Sequence, residues 1–254
     1  MKKSILLVSL VFLACLVMGF PAQASPIVIE DDYWGGEPSV NKTPNEDFFH
    51  GAAYDIQRMI VNYTVSTGSL VVDVVSNYFR NIGLNNTEMG DLFISSDGWN
   101  PYGAAPYPED SDHAHVGEDW EYALMLDNHL SSAGALSLLQ IDDKHIATTQ
   151  ELYRGTQNEL YRKFQEAQVK NAPDPVLALG TWVVNDNVLH MEIPTGAIFA
   201  GVPELGLHWT QSLGYDVIEG RAGLSAVPEP TSWILLTLGV LGLYGYGIKK
   251  KRYA

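Results

Sequence analysis

The last 28 residues, Val227 to Ala254, constrain this chain more than any other stretch. They read Val-Pro-Glu-Pro-Thr-Ser, then an uncharged apolar run from Trp233 to Ile248, then Lys249, Lys250, Lys251 and Arg252. Pro228 and Pro230 fix φ and push the residues before them towards extended backbone. This stretch is therefore an accessible, non-helical peptide that a processing enzyme can grip. The 16 residues of the run would span about 24 Å as a helix at roughly 1.5 Å per residue, a little short of the roughly 30 Å hydrocarbon core. Trp233 and the basic cluster extend that reach at the two interfaces, while Gly239, Gly242, Gly245 and Gly247 weaken the helix. Such a span suits a temporary anchor better than a permanent one. The four bases place the C-terminus in the cytoplasm and everything before Val227 outside, so the fold proper is confined to the preceding residues.

Val227-Pro228-Glu229-Pro230, the span from Trp233 and the Lys249 to Arg252 cluster together resemble the PEP-CTERM sorting signal of Gram-negative bacteria. The resemblance covers the tail alone. It implies recognition by an exosortase, which acts near the motif and releases or re-anchors the body at the cell surface, usually in bacteria that make exopolysaccharide. The competing reading is an ordinary single-pass anchor with incidental prolines. The other end of the chain agrees with export. Lys2 and Lys3 precede the apolar run Ile5 to Phe20, and Ala22-Gln23-Ala24 offers the small residues that signal peptidase accepts, with cleavage before Ser25. Cys15, the one cysteine, follows Phe12-Leu13-Ala14 in the manner of a lipobox, but Leu16, Val17 and Met18 continue the apolar run past it. Cleavage after Ala24 leaves a mature protein without disulfides even in an oxidising compartment. The chain thus divides into a signal peptide (1–24), an extracytoplasmic body (25–226) and the sorting signal (227–254).

The body carries 29 Asp and Glu against 9 Lys and Arg, a formal charge of −20; Lys2, Lys3, Glu229 and the four tail bases bring the whole chain to −15. Such a surface repels nucleic acid and anionic lipid and favours cations. Its sequence reads as mainly β: an antiparallel, jelly-roll-like β-sandwich with one amphipathic helical segment, flanked by an N-terminal signal helix and a C-terminal transmembrane helix. Met59, Val61, Tyr63 and Val65 alternate, Ser66 to Ser69 make a turn, and Leu70, Val72 and Val74 alternate again. Further strands are expected over Gly90–Ser95, Asp119–Leu126, Ala135–Ile141, a hairpin around Asn185-Asp186-Asn187, Leu205–Thr210 and the stretch from Asp216. Over Ile146–Lys170, Leu152, Leu160, Phe164 and Ala167 recur at helical spacing. Ser25 to Phe49 shows no sustained period, and no internal repeat appears.

Motifs for hydrolase, metalloprotease, nucleotide and dinucleotide chemistry are missing. The long connection from Trp99 to Glu118 is the candidate site, since loops of that length in compact domains carry function or move. Asp97, Asp110, Asp112 and Glu118 offer hard oxygens at its two ends, which calcium could staple. His113 and His115, with Asp110 or Asp112, are a weaker zinc set. Tyr33-Trp34-Gly35-Gly36 is either a sugar-stacking lip or a plug at one end of the fold. Two functions are expected from this. The first is a non-catalytic surface or matrix protein associated with exopolysaccharide and biofilm, meeting signal peptidase, exosortase and the inner membrane on its way out. The alternative is a secreted carbohydrate-active enzyme that uses Glu118, Asp119 and Glu121 beside Trp120 and Tyr122.

Overall fold

Alternating apolar residues along the body become strands whose apolar faces need a common interior, and a single rolled sheet supplies it. The computed structural model describes residues 25–32, 49, 51–103, 117–153 and 161–224. Among them lie β1 (Ile27–Glu30), β2 (Ile56–Thr64), β3 (Ser69–Ser76), β4 (Leu92–Ser95), β5 (Tyr122–Leu126), β6 (Ala133–Gln140), β7 (Ile146–Thr148), β8 (Glu166–Val169), β9 (Ala178–Asn185), β10 (Val188–Pro194), β11 (Glu204–Thr210) and β12 (Val217–Gly223). One helical turn, α1 (Thr149–Leu152), follows β7. Ten strands form one antiparallel sheet in the order β1-β2-β3-β10-β9-β6-β5-β4-β11-β12, while β7 and β8 make a separate ribbon. β12 returns beside β1 and β2, so the sheet nearly closes into a barrel. Gly220 permits that approach, because a Cβ there would lie 2.6 Å from Ile29 Cγ2.

The mainly β, antiparallel class stands, with its strands in one sheet instead of two facing ones. Met59, Val61, Leu70, Val72, Trp182, Met191, Leu207 and Trp209 point into a common core. Because every neighbour in the sheet is antiparallel, strand directions define two ends. The exit end holds the start of β1, the β2–β3 turn, the 195–203 connection and the end of β12. The far end holds Asp31, Asp55, the Asp186-Asn187 turn and Asp216. Aromatic rings close the far end: Tyr54 lies 4.7 Å from Tyr215 and 6.0 Å from Tyr78, and Phe79 lies 5.3 Å from Trp209. At the exit end Phe199 plugs the core, its ring centroid 5.3 Å from that of Tyr122 in an edge-on arrangement. Gly68 joins the turn and the connection there. It sits at φ +62, its carbonyl accepts from Thr195 N at 2.6 Å, and a Cβ would meet Gly196 O at 2.0 Å, so no other residue fits.

The ribbon lies over the outer face of β5, β4 and β11 and encloses a second cluster of Phe93, Trp120, Ala123, Leu139, Ile141 and Ile146. Asp91 is its anchor. The buried carboxylate accepts from Leu126 N at 2.8 Å and Val169 N at 2.7 Å and meets His129 Nε2 at 2.9 Å. The helical segment expected over 146–170 is thereby confined to α1 among the described residues: Ile146 pairs with Val169, and Phe164 breaks the helical spacing at φ +60. Covering an apolar sheet face outweighs local helical preference. Among the described residues no helix is long and apolar enough to cross a membrane; the expected signal and transmembrane helices lie outside them.

Removing the Asp91 carboxylate strands two buried N–H donors and a histidine, so Asp91→Ala is expected to lower stability by about 3–5 kcal/mol in denaturant titrations. Burial lowers the His129 pKa, but the Asp91 bond and the charges of Asp91, Glu88 and Asp127 outweigh it and hold it above the ordinary histidine value. The folded form then binds the proton more tightly than the unfolded chain. That contribution is complete below the unfolded value of about 6.5 and is lost as pH rises through the folded one. His129→Gln should flatten the decline in unfolding free energy above neutral pH.

Candidate functional site

Two polar groupings lie on the outer face of the barrel wall, at the edge of the ribbon. The pairing of β11 with β12 sets His208 opposite Glu219, and β4 sets Phe93 opposite His208. The imidazole is fully buried, with Nδ1 2.8 Å from Glu219 Oε2 and Nε2 2.9 Å from the Glu166 carbonyl oxygen. A carbonyl only accepts, so Nε2 carries a proton. A further proton lies between Nδ1 and Glu219. Trp99 Nε1 donates to the other oxygen of Glu219 at 2.7 Å, and Trp120 packs 5.6 Å from the imidazole ring.

The second grouping is acidic and lies at the two ends of the long connection. Glu118 is buried, accepts from Asn100 N–H and is hydrogen-bonded to Ser95, whose Oγ lies 2.8 Å from Asp97 Oδ1. Glu121 Oε2 accepts from Ser96 N at 2.7 Å. Burial pushes the Glu118 carboxyl up, the Asn100 and Ser95 bonds pull it back, and the charges of Asp97 and Glu121 push it up further. A buried carboxyl raised beside other carboxylates is a feature that acid–base sites share.

Of the residues expected to hold calcium, Asp97 and Glu118 come together, whereas Asp110 and Asp112 lie outside the described residues, as do His113, His115 and Tyr33 to Gly36. Asp119, Trp120 and Glu121 line an open depression of about 520 Å³ with Ile141, Asp142, Asp143 and Lys144. Glu118 does not line it. A third grouping was not legible in the sequence. Asp31, Asp55 and Asp216 at the far end each bring a carboxylate oxygen within 4.8 Å of the others. They flank β1, β2 and β12, three strands that meet only when the sheet rolls up, and no sequence spacing announces them.

Residues 226–251 match the family model for the PEP-CTERM protein-sorting motif. The tail is a PEP-CTERM sorting signal. The match contains the Val227, Pro228, Glu229 and Pro230 motif and Lys249, Lys250 and Lys251, with Arg252 next to it. No curated protein and no solved structure matches the chain. The PEP-CTERM signal makes this an exported protein sorted by an exosortase, so the barrel is the cargo.

A carboxyl raised by folding favours the folded state in acid, and that advantage disappears as pH rises through its folded value. Glu118→Gln should therefore flatten the pH dependence of stability above the ordinary glutamate value of about 4.3 and leave the variant at least as stable as the parent at neutral pH. Denaturation midpoints across that range measure it.

Proposed function

We propose that the PEP-CTERM cargo is a non-catalytic display module that associates with exopolysaccharide in a biofilm matrix. After signal peptidase acts, the inner membrane holds it for a time through the tail, and exosortase then delivers it to the cell surface or the matrix. The burial of its aromatic residues carries this reading. Trp120, Trp182, Trp209, Tyr54, Tyr78 and Tyr215 are all buried, and among the described residues only Tyr102, at 57 %, is an exposed aromatic. A glycan-cleaving groove stacks sugar rings on exposed aromatic faces near two carboxylates, whereas here the rings fill the core and plug the ends.

A carbohydrate-active enzyme is the second reading, favoured by Glu118, whose carboxyl is raised beside Asp97 and Glu121. On the display reading, calcium is a structural ion at Asp97, Asp110, Asp112 and Glu118 that ties the two ends of the long connection.

Two measurements test these assignments. Mass spectrometry of the mature protein from its host should find termini near Ser25 and Pro230; a chain retaining Lys249 to Arg252 would make it a standing membrane protein. On glycan arrays the purified barrel should bind polysaccharide without releasing reducing ends. Product formation that Glu118→Gln abolishes would replace display with catalysis.

A further inference from the structure

The described barrel stays ordered almost to the sorting motif. Leu224 is buried, and its N–H donates to Pro203 O at 2.8 Å. Three residues separate Leu224 from Pro228, and the four Cα-to-Cα steps between them reach at most about 14 Å when fully extended. Any peptidase that grips Val227 to Pro230 therefore works against the exit end of the folded barrel. The surface it meets has a distinct composition. The body carries −20, yet the two connections beside the exit, Thr64–Ser69 and Thr195–Pro203, contain no charged residue. They touch each other through the Gly68 carbonyl, and Val65 (53 %), Ala197, Ala200 and Pro203 stand exposed on them. The acidic groups at this end lie off these two connections: Glu204 begins β11 just after Pro203, Asp142 and Asp143 follow β6, and Asp97, Glu118 and Glu121 lie at the long connection between β4 and β5.

We propose that the uncharged face formed by these two connections is a docking surface for the processing peptidase, so that exosortase reads this part of the exit end together with the Pro-Glu-Pro peptide. The occupant follows from chain length, since only a partner holding the motif is obliged to lie within reach of Leu224. The composition fits as well. An uncharged patch brings two proteins together without desolvating charge, in a body whose remaining surface would resist close approach. Folding of β12 then becomes a condition for presenting the motif at the right distance. This inference rests on the reading that exosortase processes the tail.

The test follows conversion of the full-length precursor to its processed form in a host that carries the matching exosortase. Val65→Asp and Ala200→Asp alter exposed connection residues, and Leu130→Asp places the same charge at the opposite end as a control. Conversion should slow roughly 3- to 10-fold for the first two, about 1 kcal/mol of lost contact, and stay unchanged for the third. Ten Gly/Ser residues inserted between Ser225 and Ala226 should uncouple the barrel from the motif, so that the charged variants and the parent then convert at one common rate. Unchanged conversion of Val65→Asp and Ala200→Asp without the insert overturns the proposal. So does binding of the purified barrel to vesicles of phosphatidylethanolamine and phosphatidylglycerol that the same two substitutions abolish, since the surface would then serve lipid. Replacing Pro228, Glu229 and Pro230 by Ala separates the two levels. If that blocks conversion while the charged variants convert normally, docking fails and sorting stands; if it changes nothing, the sorting reading fails as well.

Discussion

The architecture depends on one buried carboxylate at the seam. Ten antiparallel strands in a row leave two free edges, and an exposed edge is a template for unwanted pairing. Here the edges turn on each other, and Asp216 is the tie. One of its oxygens accepts from Ile56 N, at the start of β2, and the other from Val217 N, at the start of β12. The second strand of the sheet, β2, and the last, β12, are thus held by one side chain. Gln211 reinforces it by donating through Nε2 to Tyr54 O and accepting from Asp216 N through Oε1. Hydrogen bonds to a buried charged acceptor are each worth about 1.5–3 kcal/mol, and these fall where the barrel has no ladder of backbone bonds to close it.

The geometry of the seam explains which parts of the fold could be read from the residues. Hairpins were legible because their strands are neighbours in sequence. The turn at Ser66 to Ser69 and the one at Asp186-Asn187 announce themselves, and β2 with β3 and β9 with β10 form as expected. The pairings β3 with β10, β6 with β9 and β4 with β11 were not legible. An alternating strand presents the same period whichever partner it takes, so Val72 opposite Met191 or Leu136 opposite Gly180 follows only from the whole sheet. β1 escaped notice because four residues are too few to establish alternation. β7 and β8 escaped because Leu152, Phe164 and Ala167 mimic a helical stripe, although Ala167 is fully buried in a strand.

The site divided along the same line. Glu118 and Asp97 were identifiable from their place at the ends of one long connection, a local feature. His208 with Glu219 and Asp31 with Asp55 and Asp216 join elements far apart in sequence, and only the rolled sheet brings them together. The sorting signal is the opposite case. Its meaning lies in consecutive residues and a hydropathy profile, so it needed no tertiary structure.

The two layers of the barrel wall are held by different forces, and this bears on a cargo without disulfides. Inside, burial of Trp182, Trp209, Met191 and their neighbours is non-directional and supplies stability. Outside, the cluster under the ribbon is small, and β8 is positioned by bonds from Val169 N to Asp91, from Gln168 to Met89 O and from His208 to Glu166 O. Buried polar contacts of this kind contribute less to net stability than to choosing one arrangement, because an alternative seating leaves charges unpaired. The ribbon therefore sits in one register on a core that is stable beneath it. An exported cargo with four residues between its last strand and the Pro-Glu-Pro sorting motif combines both properties.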